Sequence, residues 1–479
     1  MKDIVAGLPN IFSQNIKSKE RKKTEKELFA PFSSLPFDKI NTAFAIALHM
    51  HQPTIPAQGD DLARAGLISN LEYMMKHQNI GDNHNAPVFL SCYSRMSDII
   101  RELLDKGLHP RIMLDYSGNL LWGLRQMGEA KVLDNLSQIT VDKKYYPSLE
   151  WLGTMWSHAV VSSTPVPDIS LHIRAWRNHF GAIFGQEALN RLKGFSAPEM
   201  QLPIHPDVCF EYIKALKEAG YEWLLVQEHT IENLDGSPIR RPHFPHRLIA
   251  KNSFGKTQEI AVFIKTQGSD TKLVAQMQPY YEAKSRQREE YAKKSLPPLV
   301  LQISDGENGG VMMNEFPPKY KEVFNEIGRE GTVALNVSEY FEYIKRERVK
   351  EEDFLPVQPI SQHKIWEFVN KFSPRAVEEA IQKAKNKYGQ INLEKASWTN
   401  DKNWVKGYMD ILDPINKLSA RFHERFDDTP MDCPDPKYRQ ALLYLLLSQT
   451  SCFRYWGKGI WTEYAREICR RGMEAIEKS

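Results

Sequence analysis

From Thr42 to about Gly306 the chain repeats one pattern: a short, almost continuous apolar run followed by an amphipathic stretch. AFAIALHM (43–50) reads as a buried strand, because it is β-tolerant and too short for a helix of ordinary length. PVFLSCY (87–93) reads the same way, and MSDIIRELLDKG after it has helical spacing up to Gly107. PRIMLDYSG (110–118) with NLLWGLRQMG, VCFEYIKALKEAGYEWLLVQEH, IAVFIKTQG and LPPLVLQISDG continue the alternation. Repeated strand-then-helix units favour a parallel sheet, and their number along so long a segment suggests closure into a barrel.

Past about Leu355 the strand signals stop. IWEFVNKF, PRAVEEAIQKAKNKYG, MDILDPINKLSARFHERF and YRQALLYLLLSQTSCF all carry helical periodicity. The expected organisation is a charged leader over residues 1–40, a barrel over 41–355 and a helical domain over 356–479 packed on it. Within the leader, NIKSKERKKTEKEL (15–28) has six basic and three acidic side chains and reads as a solvated helix or frayed arm. The loop HTIENLDGSPIRRPHFPHR (229–247) is too irregular for an element, and loops of that length usually carry function or lack order.

Charge excludes some roles. Lys+Arg 63 against Asp+Glu 60 gives +3, a balance that argues against a nucleic-acid or membrane-surface partner. No run approaches the roughly 18 apolar residues of a membrane helix, and Met1–Phe12 lacks a signal-peptide core. Five scattered cysteines without a CxxC speak against a disulfide framework and a cysteine-based zinc site. A cytoplasmic protein is the expectation.

In parallel α/β folds the C-terminal ends of the strands converge on one face, where active sites lie. Three segments fall there. In LHMHQP (48–53), alternation puts His49 and His51 on one side of a strand, either as polar-ligand or metal contacts or as a satisfied core pair. In KGFSAPEMQLP (193–203), Glu199 stands where the chain turns out of a strand, and a surface-loop glutamate is the plain alternative. In LVLQISDGENGG (299–310), Asp305 ends an apolar strand with Glu307 two residues on; a turn capped by its own aspartate is the alternative.

Taken together, LHMHQP, EWLGTMWSHAV (150–160), GFSAPEM and SDGENGG occur in the order found in glycoside hydrolase family 57, which the chain resembles from about Thr42 to its C-terminus. YLLLSQTSCFRYWGKGIWTEYA (444–465) is similar to that family's helical-domain segment. The resemblance implies a (β/α)7 barrel followed by an α-helical domain, and a retaining mechanism on α-glucans of the α-amylase, 4-α-glucanotransferase or branching type. It places the nucleophile on Glu199 and the general acid/base on Asp305. It gives His49, His51 and His158 contacts to sugar hydroxyls, with Gln52 and Glu307 beside them. It requires neither cofactor nor metal, and the partner is an α-glucan or maltooligosaccharide.

The chemistry is compatible with those assignments. Retention needs two carboxyl groups about 5–5.5 Å apart, one ionised and one protonated. Glu199 is therefore expected to stay ionised beside histidine donors, and Asp305 to hold a proton through burial and the charge of Glu199. Aromatic rings suit the apolar faces of pyranoses, and Trp156, Trp398, Trp404, Tyr455 and Trp456 are the candidates, Tyr455 and Trp456 the better ones.

The chain also departs from the family pattern. Phe195-Ser196-Ala197 stands where several members carry Trp, Asn308-Gly309 where many carry Lys-Phe, and Ser451-Cys452-Phe453 where Ser-Asp-Trp is common. Two other readings follow. One is a metal-dependent carbohydrate hydrolase or deacetylase using His49, His51 and Asp115 or Asp305; the other is a glucan-binding protein that has lost its chemistry.

Overall fold

A computed structural model describes residues 3–12, 27–33, 35–59, 61–266, 274–307, 314–327, 331–389, 391, 408–456 and 459–477. Seven strands close into a barrel: β1 (Thr42–Met50), β2 (Ile112–Tyr116), β3 (Leu149–Gly153), β4 (Gly194–Ser196), β5 (Trp223–Gln227), β6 (Thr257–Lys265) and β7 (Leu299–Asp305). Each pairs in parallel with the next, and β7 returns to pair with β1. The expected seven-stranded parallel barrel is therefore what forms.

Strand alternation sorts the side chains. Ala43, Ala45 and Ala47 of β1, Met113 of β2, Trp223 and Leu225 of β5, Ala261 and Phe263 of β6, and Leu299, Leu301 and Ile303 of β7 share one buried cluster. Their sequence neighbours Phe44, Ile46, Leu48, Leu114, Leu224, Val262 and Val300 belong to another, with the surrounding helices. The first set fills the barrel and the second faces its coat, so both faces of each strand are apolar and the runs read as continuous. Space inside is tight: a Cβ on Gly194 would collide with the Trp223 indole.

Two expectations are corrected. Residues 87–93 are not a strand but the opening turns of helix α1 (Ala86–Asp105), which buries Cys92, Tyr93, Met96, Ile100 and Leu103. Pro87 sits in its first turn, where the missing N–H costs nothing and the fixed φ suits a helix. Past Leu355 one strand remains: Leu355–Pro359 lies parallel to His246–Leu248 and antiparallel to Ile231–Asn233. The loop 229–247 thus includes a strand of three residues, too short to show a period. The expected helix or arm over 15–28 lies almost wholly outside the described residues.

The helical region follows. Helix Pro374–Tyr388 packs Val377, Ile381 and Ala384 with Ile204 and Ile365. Helices α3 (Tyr408–Phe426), α4 (Pro436–Ser448) and α5 (Ile460–Glu477) add Ile415, Leu442, Leu446 and Ile468 to the cluster that coats the barrel, as does α2 (Val166–Asn190), which joins β3 to β4, through Trp176 and Phe180. After α4 the chain turns at Gln449 and crosses the loop that follows β3, where Thr450 bridges Ala159 and Ser451 donates its N–H to the His158 carbonyl at 3.1 Å. No helix among the described residues is long and apolar enough to cross a membrane.

Candidate active site

The inward files of the barrel end in polar groups. Beyond Ala47 comes His49, beyond Met113 comes Asp115, beyond Phe263 comes Lys265 and beyond Ile303 comes Asp305. Register sets Asp305, His49 and Asp115 side by side on β7, β1 and β2. Apolar side chains fill the barrel below this level, and at its C-terminal mouth the same inward face carries charge.

His49 Nδ1 lies 3.0 Å from Asp115 Oδ2. The His51 N–H donates to Glu307 Oε1 at 2.8 Å, and its Nδ1 lies 2.7 Å from Ser117 Oγ. His158 Nδ1 is 2.6 Å from Ser451 Oγ and 3.8 Å from Glu199 Oε1. The His158 ring stacks on both others, with centroids 4.5 Å from His49 and 4.3 Å from His51. Segments remote in sequence therefore meet: 49–51, 115–117, 158, 199, 305–307 and 451.

Two of these residues stand on strained backbone. His158 and Glu199 both have φ 61°, and Met200 follows at 51°. Left-handed geometry costs a non-glycine residue about 1–2 kcal/mol, a cost that surrounding contacts must offset. At Glu199 the turn is closed by the Met200 N–H donating to the Ala197 carbonyl at 3.0 Å.

Charge is unevenly held. Burial works against a charged His49, but Asp115, Asp305 and Glu307 raise its pKa to about 9, so it is a cation at neutral pH. Burial, with the His49 charge, pushes His51 and His158 well below their ordinary value. Burial and the neighbouring Asp305 raise Glu199 to about 8, offset in part by His49. Burial and Asp305 also carry Glu307 to about 8. Burial raises Asp305 too, but it has two cations against that rise, His49 and Lys265. Both carboxyls therefore favour their protonated forms more than a free side chain does, Glu199 included, although it was expected to stay ionised.

The other candidates divide. His49 Nε2 and His158 Nε2 are buried with no hydrogen-bond partner among the described residues, as is Glu307 Oε2. Those atoms are available to a polar ligand. His51 Nε2 instead lies 3.4 Å from Cys452 Sγ and 3.5 Å from Thr450 Oγ1. The Gln52 carbonyl oxygen accepts from Asn70 Nδ2 at 3.0 Å. Tyr455 packs with Val160 and Leu412, while Trp456 is half exposed, edge-on to Trp461 at 4.3 Å. Trp156 is core: fully buried, with its N–H donating to His179 Nδ1 at 3.3 Å. Trp398 and Trp404 lie outside the described residues.

Sequence reasoning missed Ser117, Ser451 and Lys265, and treated Asp115 only as a metal ligand. Asp115 ends a strand as Asp305 does, so the same rule could have found it. Lys265 follows from counting alternate residues along β6. Ser451 stood in the helical-domain segment but was read only as part of a departure from the family pattern; the crossing of the chain after α4 is what brings it to His158. Among the described residues no group of three or more His, Cys, Asp and Glu side chains is arranged to hold a metal ion.

The model of the family described as Glycosyl hydrolase family 57 matches residues 45–358. Among solved structures, the 4-alpha-glucanotransferase of Thermococcus litoralis superposes with a TM-score of 0.52 at 18% identity, over 90% of this chain and 58% of that one. This chain therefore spans little more than half that enzyme. The GH57-type branching enzyme of the hyperthermophilic archaeon Pyrococcus horikoshii gives 0.50 at 13% identity, over 91% and 88% of the two chains. Comparison with curated protein sequences gives no match. At these identities the structural likeness speaks to the fold.

Proposed function

The chain belongs to glycosyl hydrolase family 57, and from that premise we propose that it is a retaining enzyme acting on α-glucans, as a hydrolase or a glucanotransferase. The observation that carries the reading is the convergence of Glu199, Asp305 and Glu307 with three stacked imidazoles at the barrel mouth. Acidic groups with raised pKa values, gathered in one buried site, are typical of catalytic acid/base pairs.

In the first step the Glu199 carboxylate attacks the anomeric carbon, the glycosidic C–O bond breaks, and Asp305 delivers its proton to the departing oxygen. In the second, water or a sugar hydroxyl attacks the same carbon as the Glu199 ester bond breaks, and its proton returns to Asp305. Burial raises the pKa of both carboxyls, and the reaction requires Glu199 ionised beside a protonated Asp305. The unpartnered Nε2 atoms of His49 and His158 supply hydrogen bonds for sugar hydroxyls.

The test is incubation with maltoheptaose and with glycogen, followed by product separation, for the wild type and Glu199→Gln. Shorter sugars alone mean hydrolysis, and a ladder in both directions means transfer. Glu199→Gln should abolish either while keeping the fold. Turnover unchanged in that variant refutes the assignment, and glycan binding with no product from the wild type supports a binding protein instead.

A further inference from the structure

A buried chain of polar groups runs from the surface to the wall of the site and has no part in the reaction above. His423 of α3 places Nε2 2.7 Å from Asp168 Oδ1 and Nδ1 3.1 Å from Asp427 Oδ1. Asp168, fully buried in the first turn of α2, accepts at its other oxygen from Gln449 Nε2 at 2.6 Å. The Gln449 carbonyl oxygen lies 2.8 Å from His172 Nε2, one helical turn along α2. Gln449 is the residue on which α4 ends. The next three residues are the ones that touch two histidines of the site: Thr450 and Cys452 on His51, Ser451 on His158.

Gln449 donates to one Asp168 oxygen and His423 to the other, which an ionised carboxylate accepts on both sides. With a carboxylate at each ring nitrogen, His423 is favoured in its protonated form. We propose that Asp168 is a positioning residue of the site: its carboxylate, held by protonated His423, fixes Gln449 and so seats residues 450–452 against His51 and His158.

The groups that face His423 are Asp168 from α2 and Asp427 from the turn that follows α3. The bond to Asp168 holds His423 above its ordinary pKa against partial burial, and Asp427 adds to this. When His423 loses its proton, Asp168 loses its cation and the seating loosens. The kinetic consequence rests on the glycosidase reading, whereas the structural one does not.

Cys452 reports on the seating directly, because it is buried against His51 Nε2. The experiment is site-resolved alkylation of the full-length chain by iodoacetamide for the wild type, Asp168→Asn and His423→Gln, with buried Cys209 and Cys469 as internal references. Cys452 should react about tenfold faster in either variant at pH 7, a size typical of coupling through a packed network, with the references unchanged. The His423→Gln to wild-type ratio should fall towards one as pH rises through the His423 titration. On maltoheptaose, kcat should drop about tenfold with KM held within about twofold. Equal protection of Cys452 in the variants, or acceleration shared by Cys469, overturns the proposal. Should Asp168→Asn fail to fold, His423→Gln carries the test, since its imidazole is partly exposed. A wild type inactive on every α-glucan sinks the glycosidase reading alone, and the Cys452 rates still decide this one.

Discussion

Asp115→Asn removes the carboxylate that keeps His49 charged. The rise of His49 from 6.5 to about 9 corresponds to roughly 3 kcal/mol at about 1.4 kcal/mol per pH unit. His49 is only 14% exposed, so little of that is lost to solvent screening. A histidine pKa raised by folding contributes stability that is fully present below about 6.5 and disappears as pH climbs through about 9. Once Asp115 is neutral, only Asp305 and Glu307 still oppose burial, and the pKa of His49 falls. The variant should therefore be about 3 kcal/mol less stable than the wild type at pH 6, with that gap nearly closed by pH 10. Urea unfolding followed by intrinsic fluorescence at both pH values measures it. A gap of equal size at pH 6 and pH 10 would falsify the account of His49 as a cation held by Asp115.

Other perturbations separate chemistry from stability. Glu199→Gln mimics the neutral resting form, so it should match wild-type stability near pH 4 and gain on it steadily towards pH 8, by about 4 kcal/mol at most; urea midpoints across that range check it. Ser451→Ala takes the hydroxyl from His158 and should cost at least tenfold in kcat on maltooligosaccharides with a change of about 1–2 kcal/mol in stability, read by steady-state kinetics beside melting curves. Glu339→Gln strips the buried partner of Arg111 at the opposite end of the barrel and should destabilise by about 3–5 kcal/mol while leaving KM as it was.

Much of this was readable from the chain. β1, β2 and β7 could be found because strands buried on both faces are nearly continuous in apolar residues, and the catalytic candidates then followed from where those strands end. The same rule failed at 87–93, since the first two turns of a helix opened by Pro87 also present an apolar run, and only the stripe continuing to Leu103 distinguishes the two. β4 is three residues long and carries no period of its own, so Glu199 was marked by the Gly- and Pro-flanked turn out of the strand, and its role by the motif. The raised pKa of Glu199 was beyond the sequence for a different reason: it comes from burial and from the neighbouring Asp305, a matter of which strands are neighbours around the ring.

The two ends of the barrel are built on opposite terms. At the N-terminal end two buried acidic side chains are answered: Glu339 binds Arg111 through two hydrogen bonds, and Glu150 accepts from both the N–H and the hydroxyl of Ser338. At the mouth, His49 Nε2, His158 Nε2 and Glu307 Oε2 have no protein partner among the described residues. Each such buried atom costs about 1–3 kcal/mol, so the three together rival the net stability of a small domain. A fold keeps that imbalance only if the apolar barrel beneath and the helices around it outweigh it. A ligand whose hydroxyls reach all three atoms would recover much of it on binding, so ligand-induced stabilisation should shrink when His158→Phe removes one of them. Melting temperatures with and without saturating maltoheptaose measure that difference, and an undiminished shift in the variant would mean that the orphaned atoms face no sugar.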